Sequence, residues 1–150
     1  SKLICNLTLA NNSLTITGDY IDVGSQHFVI NYNQFYNNIA FDTFDLAGFA
    51  PPFRYHPEFS PLGANINIYT IKDNITYLRT FERGVEAETG ACGTGAISTV
   101  ISLITNKLIN SPVTIIPTSG IQLTVGFEPE NQVVWLQGSA EFTGKSIISI

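Results

Sequence analysis

Cys92-Gly-Thr-Gly-Ala-Ile-Ser-Thr-Val-Ile-Ser-Leu-Ile-Thr-Asn-Lys-Leu-Ile109 is the one stretch of this sequence that reads as a substantial helix. Ala96, Val100, Leu103 and Ile104 recur at helical spacing, and Ile97, Ile101 and Leu108 widen the apolar stripe. No charged residue occurs before Lys107, which stands where a cation suits the negative end of a helix. The β-branched content would also suit a strand. A length above roughly ten residues, with glycine before it and Pro112 after it, favours the helix. A helix apolar on nearly every side has to be buried, with sheet wrapped around it.

Working outward, short strand patterns punctuated by turns fill most of the chain. Leu3 to Ala10 and Ser13 to Thr17 alternate around Asn11-Asn12, the pattern of a hairpin. Tyr20 to Val23 and His27 to Tyr32 are strand-like runs separated by Gly24-Ser25-Gln26. Asn33 to Pro61 has no clear period. Its rings (Phe35, Tyr36, Phe41, Phe44, Phe49, Phe53, Tyr55 and Phe59) alternate with Asn, Asp, Pro and Gly, which predicts an irregular, ring-anchored segment with a short helical turn. Asn65 to Lys72 and Ile75 to Glu82 form a second hairpin pattern about Asp73-Asn74, a pair that tolerates the turn backbone. Beyond the helix, Pro112 to Pro117, Ile121 to Phe127, Val133 to Gln137 and Ser146 to Ile150 are strand-like. The expected class is α+β, an antiparallel or mixed sheet around one central buried helix, in a single domain over 1–150.

Composition narrows the function. The 150 residues are 44% hydrophobic and 13% charged, which excludes a disordered chain and allows a sizeable core. Twelve acids against seven bases give a net charge of −5 with no basic cluster, so nucleic acid is not an expected partner. The longest uncharged apolar stretch, Ala96 to Thr105, is too short to span a membrane. No secretory leader pattern opens the sequence, and Cys5 and Cys92 are too far apart for a metal-ligand pair. The cytosol is the expected location. A chain without methionine that enters a strand pattern at its third residue is expected to be a piece of something longer.

The start of the helix is where chemistry can sit. The first turn of a helix carries unpaired N–H donors and partial positive charge, which favour a bound carboxylate and lower the pKa of a thiol. Glycine at Gly93 and Gly95 would let a ligand approach the main chain, so Cys92 lies beside an anion cradle. The same turn would equally suit a buried, inert cysteine. Other chemistries fit less well. Gly95-Ala96-Ile97 lacks the Lys of a phosphate loop, Ser98 stands where a thiol phosphatase needs Arg, and no Gly-x-Ser-x-Gly elbow occurs. Lys2, Lys72, Lys107 and Lys145 all lie outside the cluster, so no Schiff-base lysine is in place for a pyridoxal cofactor.

Glu82-Arg83-Gly84 followed by Ala91-Cys92-Gly93-Thr94-Gly95-Ala96 resembles the second catalytic motif of the diaminopimelate epimerase family. Two upstream patches agree in order. Asp22-Val23-Gly24-Ser25-Gln26-His27-Phe28-Val29 resembles the family's Gly-Asn-Pro-His segment, and His56-Pro57-Glu58-Phe59-Ser60-Pro61-Leu62-Gly63-Ala64-Asn65-Ile66-Asn67 its His-x-x-Phe-Pro-x-Gly-x-Asn-Val-x-Phe segment. Leu136-Gln137-Gly138-Ser139-Ala140 is similar to its closing Thr-Gly-Pro-Ala. The resemblance implies one lobe of a two-lobed fold. It also implies a cofactor-free, pyridoxal-independent isomerase that interconverts LL- and meso-diaminopimelate for lysine and peptidoglycan precursor synthesis. Such an enzyme places one cysteine on each face of the substrate α-carbon. The family's first cysteine lies in a Cys-Gly-Asn-Gly motif that is absent here, and Cys5 sits in an alternating strand with no glycine beside it. The chain is therefore expected to be the C-terminal lobe, inactive alone, with an N-terminal lobe and a small amino acid as its partners and a homodimer possible for the full protein.

By the same resemblance Cys92 is the second catalytic acid–base group, and Gly93 and Thr94 donate backbone N–H bonds to the α-carboxylate. Glu82 holds the substrate ammonium and, with His27, tunes the thiol. Arg83, Asn65 and Ser25 take the distal carboxylate. No metal is implied. Ser25 stands where the family often has Asn and Gln26 where Pro is usual, and Val85 to Thr89 makes a longer approach to Cys92. These departures bear on substrate more than on reaction class. A related racemase or isomerase of the same fold, a non-catalytic dicarboxylate- or partner-binding module, and a thiol hydrolase using Cys92 and His27 are the alternatives.

Overall fold

The structure, a computed structural model, describes residues 2–12, 14–35, 38–138 and 142–148. Ser13, Tyr36, Ser139, Ala140 and Ile150, to which the sequence patterns extend, lie outside the described residues. Strands β1 (Leu3–Asn11), β2 (Leu14–Asp22) and β3 (Gln26–Asn31) form an antiparallel meander. The two short runs expected at Ser13 to Thr17 and Tyr20 to Val23 are one strand, because Gly18 and Asp19 continue the ladder. Two short helices, α1 (Leu46–Phe49) and α2 (Pro51–Arg54), interrupt the aromatic segment before β4 (Asn65–Lys72) and β5 (Ile75–Glu82). Asp73 and Asn74 join the latter pair with φ of 52° and 63°, both left-handed, as the two-residue hairpin requires. A three-residue strand, β6 (Ala87–Thr89), precedes helix α3 (Gly93–Thr105). Strands β7 (Val113–Pro117), β8 (Leu123–Glu128), β9 (Val133–Gln137) and β10 (Phe142–Ile147) complete a sheet in the order β1-β2-β3-β4-β5-β7-β8-β9-β10, with β6 pairing β5.

Two strand pairs, β3/β4 and β5/β7, are parallel, so the sheet is mixed. A parallel pair cannot be joined by a tight turn and needs a long crossover. The crossover from β3 to β4 is the aromatic segment, and the one from β5 to β7 carries β6 and α3. They cover opposite faces. Alternation along β3 sends Val29 to the core built on Ala96, Val100, Ile101 and Leu103 of α3, and Phe28 and Ile30 to the core built on Phe53, Phe59 and Leu46. Stacked, tilted and edge-on rings at centroid separations of 5.0–5.5 Å among Phe35, Phe44, Phe49 and Phe53 hold the second cover in place of a ladder. Strands β2, β3, β4, β8 and β9 all pack on α3, which is buried from Gly95 through Leu103 apart from half-buried Ile97.

The helix ends earlier than its apolar pattern. Lys107 adopts φ 58° just past the C-cap Asn106, its N–H bonds the Ile104 carbonyl at 3.0 Å, and the Leu108 N–H bonds the Leu103 carbonyl at 2.9 Å. This paired closure satisfies the last carbonyls and reverses the chain. Lys107 is thus a turn residue, not a last-turn cation, and Leu108 is 52% exposed, not part of the buried stripe. No helix among the described residues is long and apolar enough to cross a membrane.

Candidate active site

The helix-facing side of the sheet carries a group of buried polar side chains under the first turn of α3. There β3, β4 and β5 present His27, Asn65, Asn67 and Thr80. The register sets this grouping, with His27 opposite Asn65, Val29 opposite Asn67 and Asn67 opposite Thr80. Buried polar side chains need hydrogen-bond partners, and three of these, with two residues at the start of α3, form one connected series. Thr80 Oγ1 donates to Asn67 Oδ1 at 2.8 Å, and Asn67 Nδ2 lies 2.9 Å from His27 Nδ1. The other ring nitrogen, Nε2, is 2.9 Å from Thr94 Oγ1, which in turn is 3.5 Å from Cys92 Sγ.

Cys92 is the N-cap of α3, with extended backbone (φ −139°, ψ 111°) and its carbonyl accepting the first helical bond from Ala96. Its side chain is 9% exposed and neighbours Glu82 at the end of β5. Burial pushes the thiol pKa up. The Thr94 hydroxyl and the Gly95 N–H oppose that rise, and the charge of Glu82 adds to it. The helix start therefore does not produce the low thiol pKa that its donors alone suggest, because loss of water outweighs them. His27 is fully buried, and burial drives its pKa down to about 4 against the Asn67 hydrogen bond, with the Arg83 charge lowering it further. The ring is neutral at pH 7.

The two glycines differ in what they do. A Cβ on Gly93 would meet nothing within 4 Å, so its face is open to an approaching group. A Cβ on Gly95 would stand 2.7 Å from Asn67 Oδ1 and 3.2 Å from Thr80 Oγ1. Gly95 thus leaves the room that the buried network needs, a role that the sequence did not announce.

A second cluster forms at the ends of the same strands. Asn65 Nδ2 donates to Ser25 Oγ at 3.0 Å and to the Gln26 carbonyl at 2.8 Å, while its Oδ1 accepts the Arg83 N–H at 2.8 Å. Arg83 Nη1 donates to Gln26 Oε1 at 2.5 Å and to the Gly63 carbonyl at 3.4 Å. Ser25, Asn65 and Arg83 are therefore together, and Cys92, Glu82, His27 and Thr94 are together, at adjoining ends of β3, β4, β5 and α3. Gln26 occupies one nitrogen of the Arg83 fork.

Sequence reasoning did not single out Asn67, Thr80, Arg54 or Glu86. Alternation in β4 places Asn67 on the face of Asn65, which was the available signal for it. Arg54 and Glu86 had none, since they meet 32 positions apart. Arg54 Nε and Nη2 donate to Glu86 Oε2 at 3.0 and 2.9 Å, Arg54 Nη1 donates to the Leu62 carbonyl at 3.1 Å, and Tyr55 OH donates to Glu86 Oε1 at 2.6 Å. The Gly84 N–H also reaches Glu86, and these donors, led by Tyr55, hold its carboxyl down at about 2. This clamp ties the α2 region to the turn that carries Arg83. Among the described residues, no three His, Cys, Asp or Glu side chains are grouped so as to hold a metal ion.

Among curated proteins, the chain is similar to diaminopimelate epimerase of Aquifex aeolicus, with 32% identity over 134 residues, 88% of this chain and 46% of that protein. It is 35% identical to the Flavobacterium psychrophilum diaminopimelate epimerase over 133 residues, 86% of this chain and 50% of that protein. With the Gemmatimonas aurantiaca diaminopimelate epimerase the identity is 44% over 90 residues. The chain spans about half the length of the curated relatives it matches. No family model matches. Among solved structures, the crystal structure of a phenazine biosynthesis protein of the PhzF family from Enterococcus faecalis superposes with a TM-score of 0.52 at 14% identity, covering 75% of this chain and 36% of the other, which is a likeness of fold. The chain is related to diaminopimelate epimerases over most of its length, and its α+β architecture is the expected one.

Proposed function

We propose, from this relationship to diaminopimelate epimerases, that the chain supplies one face of a cofactor-independent epimerase site, in which Cys92 exchanges a proton with the α-carbon of diaminopimelate. The observation that carries the proposal is the pairing of Cys92, at the mouth of α3, with two polar clusters suited to opposite ends of one substrate. The Gly93 and Thr94 N–H groups are unpaired first-turn donors and suit the α-carboxylate. Negative charge developing there as the α-proton leaves would be stabilised by the same donors. Glu82 is placed for the α-ammonium. The uncommitted part of the Arg83 fork and the Ser25 hydroxyl suit the distal carboxylate, which distinguishes a dicarboxylic substrate from an ordinary amino acid.

A thiol held above its ordinary pKa rests protonated, so in the free protein Cys92 is the acid. A sulfur on the opposite face is then the base for one direction of the reaction, and the roles exchange for the other. That opposite sulfur would come from an N-terminal lobe, making this chain the C-terminal one, and we place the activity in the cytoplasm. Gln26 and Ser25 depart from the family pattern at the distal end and would tune substrate choice there.

The test is α-proton exchange from LL-diaminopimelate in D2O, with this chain joined to or mixed with the complementary lobe. Cys92→Ser is expected to abolish exchange and Cys5→Ser to leave it. Exchange undiminished in Cys92→Ser would remove the proposal, and a binding module would then be the better description.

A further inference from the structure

We propose that Asn67 is a positioning residue, whose side-chain amide fixes the direction of a hydrogen-bond chain running through His27 and Thr94 to the sulfur of Cys92. This deepens the function proposed above and rests on Cys92 being the acid–base group.

The direction follows from one group that cannot change its role. Asn67 Nδ2 lies 3.3 Å from the Phe28 carbonyl, which can only accept, and Asn67 Oδ1 takes the Thr80 hydroxyl at 2.8 Å. A reversed amide would set two acceptors against each other at Phe28. The NH2 therefore faces β3, and it also faces His27 Nδ1 at 2.9 Å. A nitrogen that receives a donor is unprotonated, so the neutral ring carries its proton on Nε2. Nε2 then donates to Thr94 Oγ1 at 2.9 Å. A hydroxyl has one proton. With its oxygen already accepting from the ring, that proton is free to turn to Cys92 Sγ, 3.5 Å away. The chain thus delivers a donor to the sulfur, favouring the thiolate against the burial that disfavours it.

Were the ring to carry its proton on Nδ1, Nε2 would become an acceptor and would compete with the sulfur for the Thr94 proton. The side chain of Asn67 removes that competition from a distance, without touching the sulfur. The charged groups around the thiol are Glu82, from β5, and those acting on the ring are Arg83 and Asp22, so the effect of Asn67 is read as a change with this surrounding held constant. Gly95 belongs to the same device, since its missing Cβ leaves the space that Asn67 Oδ1 and Thr80 Oγ1 fill.

Two measurements on the whole chain test this. Long-range 1H–15N correlation spectra of the labelled protein at pH 7 read the tautomer of His27 directly, and protonation at Nε2 alone is expected. Protonation at Nδ1 would overturn the proposal. In a Cys5→Ser background, the pH dependence of Cys92 alkylation by iodoacetamide reads the ionisation of the thiol. Asn67→Leu and Thr94→Val are each expected to move that midpoint upward and to slow alkylation near neutral pH by roughly fivefold, the worth of one hydrogen bond to the sulfur. Thr94→Ser is expected to restore it. Where Asn67→Leu does not fold, the threonine pair decides, and a midpoint unmoved in Thr94→Val rejects the chain. The outcome is separable from the proposed reaction. Loss of the Nε2 tautomer removes the hydrogen-bond chain alone, whereas exchange persisting in Cys92→Ser removes the epimerase and leaves the chain standing.

Discussion

A neutral histidine at the base of the site has consequences for stability that can be signed. His27 in the folded protein takes a proton only near pH 4, against an ordinary value of 6.5 for an unfolded chain. The unfolded state therefore binds more protons between those values. The contribution is fully present above pH 6.5 and is lost as pH falls from 6.5 through 4, at most about 3 kcal/mol. Urea midpoints measured from pH 7 to 4.5 should show this fall in the native protein and a flatter profile in His27→Gln, whatever that variant's absolute stability. Glu86 acts in a lower window. Held at about 2, it contributes above its ordinary 4.5 and loses that contribution as pH drops toward 2. Gly95→Ala should cost about 1–3 kcal/mol, by crowding Asn67 and Thr80, and should also raise the Cys92 midpoint. Chemical denaturation together with alkylation checks both. At this scale the resemblance to the epimerase motifs pointed to Cys92, His27, Glu82, Asn65 and Arg83, which the fold brings to adjoining strand ends. The height of the thiol pKa was not legible, because it depends on how much water the surrounding sheet excludes.

Between elements, Asp19 shows how the far end of α3 is fastened. Its carboxylate accepts the Asn6 N–H at 2.8 Å, the Ser102 hydroxyl at 2.6 Å and the Asn106 amide at 2.6 Å. Asn6, at φ 56°, lies in the register shift of β1 between Ile4 and Leu7, so one buried acid joins a bulged strand, its neighbour and a helix end. Asp19→Ala leaves those donors without a partner, and a loss of about 2–4 kcal/mol in urea unfolding is expected. Arg54 plays a similar part near the site. Arg54→Ala is expected to loosen the turn carrying Arg83, seen as faster hydrogen exchange at Gly84 and Glu86, with the core of β4 unaffected. The Asp73-Asn74 hairpin and the strand at Val133 to Gln137 were plain from turn chemistry and alternation. The end of α3 was not. Leu108 and Ile109 continue the apolar period, and only Lys107 entering the left-handed region, with Asn106 taken by Asp19, stops the helix. Strand β6 is three residues long and carries too little pattern to be read.

Over the whole molecule, two parallel strand pairs impose two long crossovers, and each became a cover for one face of the sheet. The crossover bearing α3 brings Cys92 over β3, β4 and β5, whose ends hold both polar clusters. Ring content announced the other crossover, but not that its α2 end reaches back to the site through Arg54. The proposed site would address one side of a substrate, in line with a chain spanning about half of the Aquifex aeolicus and Flavobacterium psychrophilum relatives. The most direct measurement is a titration of the labelled chain with meso-diaminopimelate and, separately, with L-lysine, which lacks the distal carboxylate. Diaminopimelate is expected to shift the Gly93 and Thr94 amides and the Arg83 side-chain signal together, and lysine to shift the helix start with little response at Arg83. No response at Gly93 and Thr94 to either ligand, or equal responses at Arg83 to both, would contradict a site built to hold the two ends of a dicarboxylic amino acid.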